Sequence, residues 1–382
     1  MVDSIIIGAG IAGSVVAREL AEQGNKQVLV LEQRNHIGGN CYDQLDEYGI
    51  LIHVYGPHIF HTNNEQVYKY LSRFTQWTHF GHEVVAKVGS QLLPIPFNLN
   101  TLQQVYGTEK GDLLKKKLID TYGMDERVSI MELRKNPDPE LQEVAEYVYE
   151  HVFLHYTMKQ WGQRPEDISE EVTSRVPVLI SYDNRYFQDR YQGMPKDGYT
   201  SMFRQLLNHE NIEVALGTDA RQRLKLKEDG IYLDGKLFTG DVVYTGALDE
   251  LYEEKYGQLP YRTLDFQFEH LDQDNFQGHS VVNYTVDEDF TRITEFKQLT
   301  RQIDAQGTTI VREYPGAYTK AKGQIPYYAI LNSENKSLYE KYKADANKYP
   351  QLHLLGRLAE YQYYNIDAMV ERALVLSKEL IK

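Results

Sequence analysis

The chain has 382 residues, 42% of them hydrophobic and 25% charged, which fits a globular protein long enough for two or three domains. Its formal net charge of −14 argues against broad binding to nucleic acid or to an anionic membrane, so a phosphate ligand would need a local cluster of arginines. Cys41 is the only cysteine, which excludes an intrachain disulfide and a multi-cysteine metal site. No apolar run approaches the roughly 18 residues of a membrane span. The first strand begins almost at Met1 with no space for a signal peptide, so a soluble, cytoplasmic protein is expected. Tyrosines number 30 against 13 phenylalanines, which suits ordinary half-buried packing and also a cleft that stacks on sugars and bases.

Residues 3–33 read DSIIIGAGIAGSVVARELAEQGNKQVLVLEQ. Ile5, Ile6 and Ile7 form the continuous apolar run of a strand buried on both faces. Gly8, Gly10 and Gly13, with Ala12 between them, supply a tight turn, close approach to a pyrophosphate, and helix–strand packing. A helix through Ala17 and Leu20 turns its positive end to the phosphates, and Gly24 stops it. Val28 and Val30 give the second strand. Glu32 closes it near the ~20-residue spacing at which an acid meets a ribose hydroxyl, with Gln33 beside it. The later doublet Gly38-Gly39, followed by Asn40, favours a flavin over NAD and resembles the flavoprotein class of amine oxidases and carotene desaturases. No second GxGxxG occurs, so a reductant such as NADPH is expected to visit without a dedicated Rossmann site.

Residues 98–165 have helical character. Asp138 is an N-cap with Pro139 at the first helical position, and Leu141, Val144, Ala145, Val148, Tyr149, Val152 and Tyr156 recur on one helical face until Gly162. From Ile212 the pattern changes to short strands with turns at Asp229-Gly230 and Asp234-Gly235, and DVVYTGA returns to the nucleotide sheet. Strand-like runs fill 261–331, and an amphipathic helix runs from Ile366 through Met369, Val370, Ala373 and Leu374. The expected fold class is α/β: an FAD-binding Rossmann-like domain (1–79, 205–260 and 341–382) interleaved with a helical substrate-binding insert (98–165) and an antiparallel β-sheet domain (80–97, 166–204 and 261–340). His58 and His61 form an HxxH, but without a nearby cysteine or a helical metalloprotease pattern no metal is expected.

The stretches YGPHIFHTNN, YTMKQWG, SRVPV, YFQDRYQGMPKDGYT, YRTLDF, NFQG, VVNY, TRITEFK, PYYAI and LLGRLAEY, in that order, resemble the bacterial UDP-galactopyranose mutase family over essentially the whole chain. The resemblance implies an isomerase interconverting UDP-galactopyranose and UDP-galactofuranose for cell-surface polysaccharide. There, N5 of reduced FAD attacks the anomeric carbon without net redox change. It implies Arg175 and Arg292 as a diphosphate-binding pair, with Arg262 a weaker member. It assigns Val152, Phe153, Tyr156, Thr157 and Trp161 to the nucleoside, and Tyr186, Asn283, Tyr328 and Tyr363 to the diphosphate and sugar. It also places His61 in a histidine loop against the flavin ring. His58, Ile59, Gly356, Arg357, Ile366, Asp367, Ala368 and Met369 join the glycines at the cofactor, and a homodimer is implied.

Five places depart from the family pattern. Leu154-His155 replaces Lys-Gly, His82 (followed by Glu83) replaces a sugar-side asparagine, and Gln362 and Asn365 replace a cation and an aspartate, with Ile366 for methionine. Exchanging both charges leaves neutral amides that can still hydrogen-bond. The alternatives are a paralogous mutase for dTDP-fucose or UDP-N-acetylgalactosamine, an FAD-dependent oxidoreductase on the same fold, or a non-catalytic FAD scaffold.

Overall fold

Short apolar runs buried on both faces are satisfied as central strands of a parallel sheet. The structure, a computed structural model describing residues 2–162, 164 and 177–382, builds one such sheet. Its strands run, in spatial order, Ile212–Ala215, Val28–Leu31, Ser4–Ile7, Asp241–Tyr244 and Leu352–Leu354, all parallel. Alternation divides them between two layers. Ile6, Val28, Val30 and Val243 pack with Val15, Val16 and Leu20 of the helix Ile11–Glu22 and with Met369, Val370 and Ala373 of the helix Ile366–Ile381. Ile5, Leu29, Leu31 and Val242 face Ile231, Leu248, Tyr339 and Tyr342. The final helix therefore returns to the first, which brings residues 356–369 to the glycine turns.

A second sheet has the order Tyr328–Ala329, Tyr261–Leu271, Thr308–Ala317, Arg292–Glu295, Val281–Tyr284, Val84–Val88 and Gln91–Ile95. It is antiparallel except where Val281–Tyr284 runs parallel to Val84–Val88. A helical layer packs on it through Leu102, Leu114, Leu133, Leu141, Val144 and Val148 against Val84, Ile95 and Val281. Asn98 and Thr101 form a reciprocal capping box at the start of that layer, and Asp138 accepts the Glu140 N–H with Pro139 at the first helical position. Of the segment 166–204, expected to join the second sheet, the described part from residue 177 behaves differently. Its strand Tyr191–Pro195 lies between Phe60–Thr62 and Trp77–His79 in a separate three-stranded sheet, because its backbone pairs with the chain leaving the histidine loop.

The hairpin Leu224–Lys227 to Gly230–Leu233 turns on Glu228-Asp229, one residue before the expected pair, with Gly230 already in the strand. The next turn does use Asp234-Gly235, both at positive φ (49° and 79°), as a two-residue turn requires.

Candidate active site

A cavity of about 460 Å³ opens at the carboxyl ends of the parallel strands, where ligands of doubly wound sheets bind. The helix Ile11–Glu22 starts there at Gly10 with no side-chain cap and no acid in its first turn, leaving its leading N–H groups available to an anion. Gly39, at φ +55°, faces Gly10 so closely that a Cβ on it would lie 2.9 Å from Gly10 Cα. Two bare backbone turns thus form the cavity floor. Glu32 ends its strand with Oε2 accepting the Ala9 N–H at 2.8 Å and Oε1 accepting the Arg34 N–H at 2.9 Å. Arg34 donates to Asn40 Oδ1 at 3.0 Å and lies over the Tyr55 ring, while its Nη1 is buried without a hydrogen-bond partner among the described residues. Uncapped helix, bare glycines, acid and unpaired guanidinium nitrogen fit a dinucleotide, with diphosphate at the glycines and ribose near Glu32.

A second cavity, about 720 Å³, adjoins it. His58, Tyr327, Arg357, Asn365 and Ile366 line both. The second is aromatic, and one arginine is built into it. Arg292 opens the strand Arg292–Glu295 in register with Glu313, and its Nε donates to Glu313 Oε1 at 2.6 Å. Glu313 is 1% exposed, so the pair is locked. Burial works against the Arg292 charge, yet Glu313, with Tyr156 and Tyr328, holds the guanidinium pKa above its ordinary value. No hydrogen bond among the described residues engages its Nη atoms, which leaves a cationic fork for phosphate oxygens.

The tyrosines stack in series. Trp161 lies against Tyr328 (centroids 5.5 Å apart), Tyr328 stacks on Tyr363 (5.7 Å, 18°), and the Arg357 guanidinium sits 4.4 Å from the Tyr363 centroid. Arg357 Nε donates to the Tyr364 carbonyl at 2.7 Å, which fixes the turn before the last helix. His58 Nδ1 lies 2.9 Å from the Gly56 carbonyl, and burial, with His53 and Arg357 nearby, pushes its pKa down to about 3. It is therefore a neutral ring donating from Nδ1.

Of the cofactor residues expected from the sequence, Gly8, Gly10, Ala12, Glu32, Gln33, Gly39, Asn40, His58, Gly356, Arg357, Ile366 and Met369 line the first cavity. Ile59 lines the second. Gly13, Asp367 and Ala368 line neither: Gly13 is packed beneath Gly8, and Asp367 Oδ1 accepts the Ala368 N–H at 2.8 Å within its own helix. The substrate set His61, His82, Val152, Phe153, Tyr156, Thr157, Trp161, Tyr186, Asn283, Arg292, Tyr328, Tyr363 and Asn365 shares the second cavity. Arg175 lies outside the described residues.

The single helical face expected through residue 156 is interrupted. Pro139–Val148 is followed by a wide π-turn, Tyr149–Leu154, before His155–Trp161. The shift lets Val152, Phe153, Tyr156, Thr157 and Trp161 all reach the cavity, whereas the earlier residues stay in the core. Arg262 is corrected: it does not line the cavity. Its Nε and Nη2 donate to the carbonyls of Gln160 and Lys159 at 3.0 and 2.9 Å, capping the helix that carries Trp161. Arg262→Ala should therefore raise KM by roughly 3- to 10-fold through a loosened Trp161, with kcat changed much less. Steady-state kinetics check this, and a kcat-only loss would contradict it.

Gln362 and Asn365 do not replace the family's charged pair by bonding each other. Gln362 accepts the Tyr364 hydroxyl at 2.8 Å, and Asn365, at the N-cap of the last helix, makes no side-chain cap. The residues that sequence reasoning missed are Glu313, Arg127, Phe187, Gln188, Asp189 and Tyr327. Only strand register reveals Glu313 as the partner of Arg292. Cys41 is buried, and burial pushes its thiol up to about 12. Iodoacetamide at neutral pH should leave it intact in the folded protein and label it in denaturant, as mass spectrometry would read. Among the described residues no cluster of three or more His, Cys, Asp or Glu could hold a metal.

A Rossmann-type dinucleotide cavity joined to an aromatic, arginine-bearing substrate cavity defines an enzyme class that works on a second ligand beside a bound cofactor. The family model for UDP-galactopyranose mutase matches residues 151–363, and that of the NAD(P)-binding Rossmann-like domain matches 6–74. The chain is 37% identical over 381 residues to dTDP-fucopyranose mutase of Escherichia coli, spanning 99% of this chain and 98% of that protein. It is 37% identical over 379 residues to a probable UDP-galactopyranose mutase of Klebsiella pneumoniae (99% and 94%). A crystal structure of reduced UDP-galactopyranose mutase superposes with a TM-score of 0.72 at 15% identity, covering all of this chain and 94% of that one. The chain belongs to the UDP-galactopyranose mutase family, and its Rossmann-like domain within that family supports a flavin cofactor.

Proposed function

We propose that the protein interconverts UDP-galactopyranose and UDP-galactofuranose with FAD in its reduced form. The junction of the two cavities at His58, Tyr327, Arg357, Asn365 and Ile366 carries this reading, because it lets a sugar held by the second reach a flavin held by the first. Reduced flavin, when bound, supplies the nucleophile, and this chain's residues bind and orient around it. Arg292, fixed by Glu313, meets the diphosphate and offsets the charge that grows on it as it leaves. Val152, Phe153, Tyr156, Thr157 and Trp161 hold the nucleoside, while the Tyr328 and Tyr363 rings cover the sugar-phosphate end and exclude water. Arg175 completes the diphosphate clamp in this reading.

A second reading, a dTDP-fucopyranose substrate, is favoured by the identity to the Escherichia coli protein and by His82 and Asn365 in place of the family's asparagine and aspartate. His82 is buried, and burial, with Arg292 nearby, pushes its pKa down to about 3, so it meets the sugar as a neutral group. Anaerobic incubation with UDP-galactofuranose or dTDP-fucofuranose, with and without dithionite, separates the readings by chromatography. Conversion of the UDP sugar only after reduction is expected. Preference for the dTDP sugar selects the second reading, and flavin reduction by the sugar itself would indicate an oxidoreductase. The proposal extends to a cytoplasmic homodimer reduced by external NADPH, which light scattering and anaerobic NADPH titration test. No described helix is long and apolar enough to cross a membrane.

A further inference from the structure

Pairing of Phe60–Thr62 with Tyr191–Pro195 sets His61 in register with Gln192. Gln192 Nε2 donates to the carbonyls of Phe187 and Asp189, each at 2.9 Å, and Asn63 Oδ1 accepts the Arg190 N–H at 2.9 Å. The loop so held lies over the histidine. The Phe187 ring stacks on the imidazole with centroids 3.6 Å apart and planes 10° apart, and Asp189 Oδ2 lies 3.0 Å from Nδ1. The His61 hydrogen bond holds the Asp189 carboxyl below its ordinary range in spite of burial. A carboxylate on Nδ1 makes that nitrogen the donor and leaves Nε2 for whatever occupies the cavity. Among the described residues, His82, the neighbouring imidazole on the same cavity, has no carboxylate partner, and its Nδ1 is buried without a hydrogen bond.

The geometry points to His61 as the proton carrier for exchange of the sugar's ring oxygen and to Asp189 as the residue that positions it. This rests on the isomerase reading above. In pyranose-to-furanose exchange the C1–O5 bond breaks with its electron pair left on O5, and a lone pair of O4 forms C1–O4. O5 gains one proton, O4 loses one, and no carbon changes oxidation state. His61, held by Asp189, delivers one proton from Nε2 to O5 and takes one from O4, so the imidazole ends the exchange with the charge it began with. Asp189 stays ionised throughout and balances that charge.

The test uses flavin-loaded, reduced protein and whichever nucleotide sugar the unmodified protein converts, with rates expressed per bound flavin. Asp189→Asn should lower kcat roughly 100-fold and leave KM within about 2-fold, with an increased solvent deuterium isotope effect. Affinity for the free nucleoside diphosphate should be unchanged, Asp189→Glu should recover part of the rate, and Asp189→Asn with His61→Gln should be no slower than the slower single variant. Unchanged kcat, a loss confined to KM, or multiplying losses in the double variant would overturn the assignment. If the unmodified protein converts no nucleotide sugar, it is the isomerase reading that fails.

Discussion

Arg292→Ala should lower kcat by roughly 100- to 1,000-fold, the usual cost of removing a charged group aimed at developing negative charge. The same change should destabilise the fold by about 3–5 kcal/mol, because it strands Glu313, 1% exposed, as an unpaired buried carboxylate. These losses have different causes and can be separated. Arg292→Met combined with Glu313→Gln removes both charges and should regain most of the melting temperature without regaining activity. Thermal unfolding and product chromatography on the single and double variants check both halves. Recovery of activity in the double variant would mean that Arg292 serves only to neutralise Glu313.

The second large effect belongs to a residue that touches neither cavity. A Cβ on Gly13 would lie 2.0 Å from the Gly8 carbonyl oxygen and 2.9 Å from Ile6 Cγ2. The oxygen is backbone at the end of the first strand, so the helix Ile11–Glu22 would have to move away from the sheet. That separates the uncapped helix start from the glycine floor of the first cavity. Gly13→Ala should therefore cost about 3 kcal/mol or more by overpacking and yield protein purified largely without flavin. Flavin absorbance per chain and the melting temperature measure this. A flavin-replete, equally stable variant would contradict the packing described.

The nucleotide half of the fold was legible because its signals are local: an apolar triplet, glycines at fixed spacing, and an acid at a strand end. Gly10, Gly39 and Glu32 meet in space because a strand, a turn and a helix leave them little alternative. The second cavity was legible only through the family resemblance, since nothing in spacing brings Arg292 near Tyr156 or Tyr363. Arg262, expected with the diphosphate arginines, instead turns its Nε and Nη2 to helix carbonyls. The resemblance also gave no hint that Gln362 bonds Tyr364 while the Asn365 side chain leaves the last helix uncapped. Glu313 and Asp189 escaped for one reason. Glu313 is set opposite Arg292 by strand register, and Asp189 sits in the loop that the His61–Gln192 register carries over the imidazole; register is a long-range property that periodicity does not encode.

The central claim is isomerisation on a reduced flavin with no net electron transfer, and counting turnovers against flavin oxidation tests it most directly. Protein reduced once with dithionite, freed of excess reductant and kept anaerobic, is given the furanose nucleotide sugar while flavin absorbance and pyranose product are followed together. Many product molecules per flavin, with the flavin still reduced at the end, are predicted. Product limited to one per flavin, or flavin reoxidised in step with product, would contradict the account.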